Sequence, residues 1–114
     1  MIDCLFCKII TGEIPSDKVY ENDSVLAFRD IDPKAPTHIL IIPKDHIATT
    51  NNRDDSHKLL LVEMLIAAKD IAEQESIADS GYRTVFNCNQ HGGQAVYHIH
   101  LHLLGGRQMN WPPG

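Results

Sequence analysis

The stretch His98-Ile99-His100-Leu101-His102-Leu103-Leu104 alternates three imidazoles with apolar residues. In an extended strand successive side chains point to opposite faces. The spacing therefore predicts His98, His100 and His102 on one face, with Ile99, Leu101 and Leu103 turned to a core on the other. Imidazoles are polar and titrate near neutral pH, so a row of them stabilises a sheet poorly. Two chemistries would use such a row: holding a metal, or presenting one neutral imidazole as a nucleophile with the others as helpers. A neutral imidazole attacks phosphorus well and needs no cofactor if its second nitrogen is anchored. Just upstream, Gly92-Gly93 would let backbone N–H groups approach an anion, with Gln94 and Asn87 as neutral hydrogen-bonding partners. Cys4 and Cys7 form a C-x-x-C pair, which can be half a zinc site, a redox couple or two packed thiols. A redox couple would follow a strand in a βαβ unit, and three preceding residues leave no room for one.

These residues need elements to place them. Leu5, Phe6 and Ile9 share one side of a short helical turn after the first cysteine. Lys18–Glu21 and Val25–Asp30 read as strands of a hairpin, although Asn22-Asp23 is a weak turn signal. Thr37 to Ile42 is almost continuously apolar and ends at Pro43, which suits a central strand buried on both faces. His38 interrupts that run and, taken alone, reads as a hydrogen-bonded core histidine. His46, taken alone, is an ordinary loop residue. From Asp54 to about Ile77 the pattern is helical, with N-cap candidates at Asp54-Asp55-Ser56 and Gly81 placed to help end the element. Leu61, Met64, Leu65, Ala68, Ile71 and Ala72 form the apolar stripe, and Leu59, Leu60 and Val62 widen it beyond what one sheet face needs. Tyr82–Asn87 is another strand, Asn89–Gln94 a loop, Ala95–Leu104 the histidine strand, and the tail from Gly105 irregular. This order predicts an α+β domain with a mainly antiparallel sheet.

The chain has 114 residues, enough for one domain with its own core, and a net charge of −5 that argues against a nucleic-acid footprint. No apolar run approaches a membrane span, and there is no signal-peptide pattern. Three cysteines do not make a disulfide framework, so a reducing, cytoplasmic setting is expected.

The pattern His-φ-His-φ-His-φ-φ resembles the signature of the histidine-triad (HIT) superfamily of nucleotide hydrolases and transferases. Phe28-Arg29-Asp30-Ile31, Ala35-Pro36-Thr37-His38, Gly92-Gly93-Gln94, Val96-Tyr97-His98-Ile99-His100-Leu101-His102 and the ending Leu104-Gly105-Gly106-Arg107-Gln108-Met109 to Trp111-Pro112-Pro113-Gly114 follow the order of its HINT branch. The resemblance covers essentially the whole chain, residues 1–114. It implies a HIT-like fold: a five-stranded sheet, one long helix and a short N-terminal helix. It also implies a homodimeric purine nucleoside phosphoramidate hydrolase in which His100 takes the nucleotidyl group. His98, His102 and His38 would complete the catalytic set. Leu5, Phe6, Ile9, Phe28 and Ile31 would line the base pocket, and Asp30 would bind the ribose hydroxyls. Asn87, Gly93, Gln94, Ala95, His100 and His102 would surround the phosphate. Ala95 stands where many relatives have a hydroxyl residue, which removes one donor. In other members a cysteine pair, a histidine after the central strand and the first triad histidine bind structural zinc. The matching residues are Cys4, Cys7, His46 and His98. With four ligands and no open position the metal would be structural, and the chemistry would need no cofactor.

Three other readings compete: a dinucleoside polyphosphate hydrolase with the same nucleophile, a nucleotide-binding regulatory module with incidental hydrolysis, and a metal-binding redox protein. Assembly is expected on three grounds. The helix is too apolar for one sheet face, the late histidine strand could leave an unpaired edge, and Trp111 is a large aromatic at a chain end beside prolines. A twofold dimer, implied also by the resemblance, would satisfy all three and carry Trp111 to the partner's pocket.

Overall fold

The computed structural model describes residues 3–52 and 54–114. Its elements are α1 (Leu5–Thr11), β1 (Lys18–Glu21), β2 (Val25–Arg29), β3 (Thr37–Pro43), α2 (Lys58–Gln74), β4 (Tyr82–Phe86), α3 (Asn89–Gly92) and β5 (Leu101–Gly105). Among the described residues the five strands make one antiparallel sheet in the order β1-β2-β3-β5-β4. The expected α+β class, with one long helix and a short N-terminal one, is what forms.

The sheet is a partition, because alternate residues of each strand serve opposite faces. Val25, Ala27, Ile39, Ile41, Leu101 and Leu103 face α2, which covers them with Met64, Ala67, Ala68, Ile71 and Ala72. Leu26, Phe28, Leu40 and Ile42 face the other way and meet Phe6 and Ile9 of α1. The weak Asn22-Asp23 turn closes because the Asn22 side chain accepts from the N–H groups of Ser24 (2.8 Å) and Val25 (2.9 Å). Arg29 at the end of β2 forks onto Glu75 at 2.7 and 3.0 Å, tying the end of α2 to the sheet.

Five expectations need correction. The histidine strand does not run from Ala95. It begins at Leu101, because the preceding residues are held by other bonds: Ile99 N–H donates to Ile47 O at 2.7 Å, away from the ladder. Alternation survives the loss of strand, since Ile99 still joins the α2-side core. This strand is also not an edge. It lies between β3 and β4, and the edges are β1 and β4. The long helix is Lys58–Gln74, preceded by a 3-10 turn at Asp55–His57 that Asp54 and His57 close as a capping box. The chain turns out of it at Ser76 and not at Gly81: Ser76 takes the left-handed conformation (φ 61°) and Ile77 N–H reaches back to Ala72 O at 2.9 Å. Finally, the expected loop at Asn89–Gln94 contains the short helix α3.

Candidate active site and metal centre

Hydrogen-bond partners fix the tautomer of each triad imidazole, because a carbonyl only accepts and a backbone N–H only donates. His100 Nδ1 lies 2.8 Å from His98 O, so Nδ1 carries the hydrogen and Nε2 keeps its lone pair. His98 Nε2 lies 2.8 Å from Pro43 O, so its hydrogen is on Nε2 and its Nδ1 is free to act as a ligand. Lys34 N–H donates to His38 Nδ1 at 3.0 Å, which leaves the His38 hydrogen on Nε2. That hydrogen points to His102 Nδ1 at 2.9 Å, with Asp30 Oδ2 at 3.5 Å. His102, when neutral, therefore carries its own hydrogen on Nε2. Burial holds His38, His98 and His100 below the ordinary imidazole range. His102 is pushed down to about 4, first by burial and then by His100 and His38. The whole row is neutral at pH 7, the state a nucleophile requires.

His100 and His102 line a cavity of about 740 Å³, within the range of small-molecule sites. Its walls include Leu5, Phe6 and Ile9 from α1, Phe28, Asp30 and Ile31 from the end of β2, and Ala95. Phe6 stands edge-on to Phe28 (5.6 Å between centroids) and to the His100 ring (5.1 Å), so one side chain packs on both the pocket wall and the middle histidine. Asn87, Gly93 and Gln94 lie outside this lining. The Gln94 side chain is occupied: Nε2 donates to Ala48 O (2.7 Å) and Val96 O (3.0 Å), and Oε1 accepts from Asn89 N–H. It ties the backbone at Ala48, Asn89 and Val96 together. Sequence reasoning missed Ile14, Pro15, Ser16, Leu40 and Val96 in the walls, and the Lys34 N–H that orients His38. The turn at Gly12–Ser16 carried no signal that it folds back on the pocket, and a backbone donor leaves none in the residue types.

Among the described residues two groups of side chains could be metal sites. Cys4, Cys7, His46 and His98 bring four donor atoms together. His98 Nδ1 is 3.4 Å from Cys4 Sγ, 3.6 Å from Cys7 Sγ and 3.3 Å from His46 Nδ1, and Cys7 Sγ is 3.5 Å from His46 Nδ1. Burial, with Cys4 beside it, pushes the Cys7 thiol up to about 11. Asp30, His38 and His102 also converge, but the His38 nitrogen there already carries a hydrogen, and reversing its tautomer would set it against Lys34 N–H. The first group fits a metal ion and the second does not.

A family model described as the scavenger mRNA decapping enzyme C-terminal binding domain matches residues 3–111. A purine nucleoside phosphoramidase of Escherichia coli K12 is 58% identical over 107 residues, 94% of this chain and 90% of that one. A 14 kDa zinc-binding protein of Zea mays is 57% identical over 112 residues, covering 96% and 87% of the two chains. A HIT family hydrolase from Legionella pneumophila superposes with a TM-score of 0.97 at 62% identity, over 98% of this chain and all of that one.

Proposed function

The chain belongs to the histidine-triad (HIT) family of hydrolases, and on that premise we propose that it hydrolyses the P–N bond of purine nucleoside 5′-phosphoramidates. The observation that carries this is His100, anchored through Nδ1 to a carbonyl with an unprotonated Nε2, on the wall of an apolar pocket of nucleoside size. We read residues 1–114 as one such domain, acting in the cytoplasm, where its cysteines stay reduced. Among the described residues no helix is long and apolar enough to cross a membrane, and the net charge of −5 argues against a nucleic-acid partner.

The purine would lie among Leu5, Phe6, Ile9, Phe28 and Ile31, and Asp30, whose Oδ1 accepts from Asp32 N–H at 2.9 Å, would take the ribose hydroxyls. The phosphate would face His100 and His102, with Ala95 beside them in the wall. His100 Nε2 attacks phosphorus, the P–N bond breaks and the amine leaves with a proton taken from solvent, which the later attack of water gives back. His98 O, accepting from Nδ1–H, steadies the positive charge that the ring acquires. His102, held by His38, offers Nε2–H to a phosphoryl oxygen. Water then attacks the nucleotidyl-histidine, releasing the nucleoside monophosphate and restoring His100. No step uses a metal.

We assign zinc to Cys4, Cys7, His46 and His98. Tetrahedral zinc at ordinary bond lengths places N and N about 3.4 Å apart and S and N about 3.6 Å apart, and the four separations given above each fall within about 0.2 Å of those edges. The zinc is structural, since all four positions are filled by protein.

The protein is further proposed to be a homodimer. On α2, Leu59 (78% exposed), Val62, Leu65 and Ile66 (each about half exposed) make an apolar strip that the sheet does not cover. Trp111 is 80% exposed, with the Arg83 guanidinium 5.8 Å from its ring, and would reach the partner's pocket.

The test is turnover of an adenosine 5′-phosphoramidate against a dinucleoside polyphosphate, with rapid quenching to trap the intermediate. The proposal expects preference for the phosphoramidate and an adenylyl group on His100. Tight AMP binding with negligible release of amine would leave a binding module instead.

A further inference from the structure

We infer that the Cys4–Cys7–His46–His98 cluster is a positioning device for purine recognition, so that metal occupancy sets nucleotide affinity as well as stability. This rests on the nucleotide reading above. The helix α1 has only seven residues, too short to persist by itself, so it depends on what pins it. Two attachments hold it. One is apolar, through Phe6 and Ile9. The other is the pair of thiols, Cys4 at its N-cap and Cys7 one turn on, converging on His98 Nδ1 and, from Cys7, on His46 Nδ1.

The same short helix is one whole wall of the pocket, supplied by Leu5, Phe6 and Ile9. The thiols and the base-contacting residues are interleaved on it. Any rotation that moves Cys4 and Cys7 off the two imidazoles must also move the pocket wall. Phe6 links the two most closely, since it lies edge-on to His98 at 5.9 Å and to His100 at 5.1 Å. The opposite side of the pocket supplies no ligand to the cluster. Asp30 and His102 belong to the β2, β3 and β5 side, and His98 itself is fully buried and separately held by Pro43 O. Loss of metal therefore frees α1 and leaves the phosphate and ribose subsites in place. A metal that served only as a staple for the fold would make no distinction between the parts of the ligand.

Zinc-loaded protein, protein stripped with a chelator, and the His46→Ala variant are titrated with AMP and with ribose 5-phosphate. His46→Ala weakens the cluster from outside α1 and touches no wall of the nucleotide cavity. Fold is followed by far-ultraviolet circular dichroism, and α1 by amide hydrogen exchange. AMP affinity should fall on the order of tenfold in stripped protein and in His46→Ala, since the base loses part of its apolar wall. Affinity for ribose 5-phosphate should not change, and α1 amides should exchange faster while those of β3 and β5 stay protected. Equal AMP affinity in all three samples overturns the inference alone. Parallel loss of both ligands, or collapse of the whole fold in both weakened forms, overturns it by making the metal a general staple. Failure of AMP to bind zinc-loaded protein removes the nucleotide reading, and the inference with it.

Discussion

His100 and His102 owe their neutrality to burial, and burial sets two pH effects of the same sign. For activity, His100 is held below the ordinary imidazole value of about 6.5. Its lone pair therefore survives into mild acid, and the acid limb of kcat/KM should lie below pH 6.5; an acid limb at or above pH 7 would contradict this. For stability, the unfolded chain takes up protons as pH falls through about 6.5 while the folded His102 resists down to about 4 and the folded His38 is also depressed. Both contributions are complete above pH 6.5 and are lost progressively below it. Thermal melts at pH 7 and pH 5 should differ by roughly 5 °C or more, with the acid sample less stable. Replacing His38 with Asn removes the Nε2–H that orients His102; kcat should drop on the order of tenfold to a hundredfold with KM for the nucleotide nearly unchanged. Ser16 Oγ is buried without a hydrogen-bond partner, and an orphaned hydroxyl is a cost to the fold. Ser16→Ala should be neutral or stabilising by up to about 1 kcal/mol in urea melts.

At the scale of elements, much of the fold is legible because period and chemistry agree. Thr37–Ile42 reads as a buried central strand from its apolar run alone, and β3 is buried along its whole length. The long helix is evident from Met64, Ala68, Ile71 and Ala72, although Leu65, placed on the same stripe, is half exposed while Ala67 is buried. A stripe read with one fixed period cannot tell which flank the sheet will cover. The true start of β5 was hidden because His98 and His100 are tied by ring-to-backbone bonds, which residue alternation does not register. Strand order was equally hidden, since a late strand inserts between β3 and β4 through contacts far apart in sequence. Of the site, the alternation pointed to a shared histidine face, and the resemblance, not spacing, named the nucleophile and the zinc set. The cavity's far wall at Ile14–Ser16 had no signature. The end of β5 supplies a separate test. A Cβ on Gly105 would stand 2.5 Å from Ile77 Cδ1 and 3.2 Å from Ile77 Cβ. Gly105→Ala should therefore destabilise the protein by about 1–3 kcal/mol in denaturant melts.

At the scale of the whole molecule, the apolar strip on α2 and the exposed Trp111 are the features that a lone chain leaves unexplained. Sedimentation at micromolar concentration should give a dimer. Ile66→Glu should shift it to monomer with an unchanged circular dichroism spectrum, since Ile66 does not face the core. Truncation before Asn110 should alter relative rates among amine leaving groups while the dimer persists. Beyond assembly, the partition made by the sheet governs how such a chain can diverge. In β3 and β5 an imidazole alternates with a core aliphatic: His38 and Ile39, His102 and Leu103. A single codon inserted or deleted there would exchange the two roles along the strand, sending imidazoles into the core and aliphatics into the pocket. Descent is therefore constrained to point substitutions in this stretch, and even those are few. The turn at Ile14–Ser16, at the margin of the pocket and outside the sheet, carries no such alternation. New substrates should arise there by ordinary drift, while the attacking residue and its chemistry stay fixed.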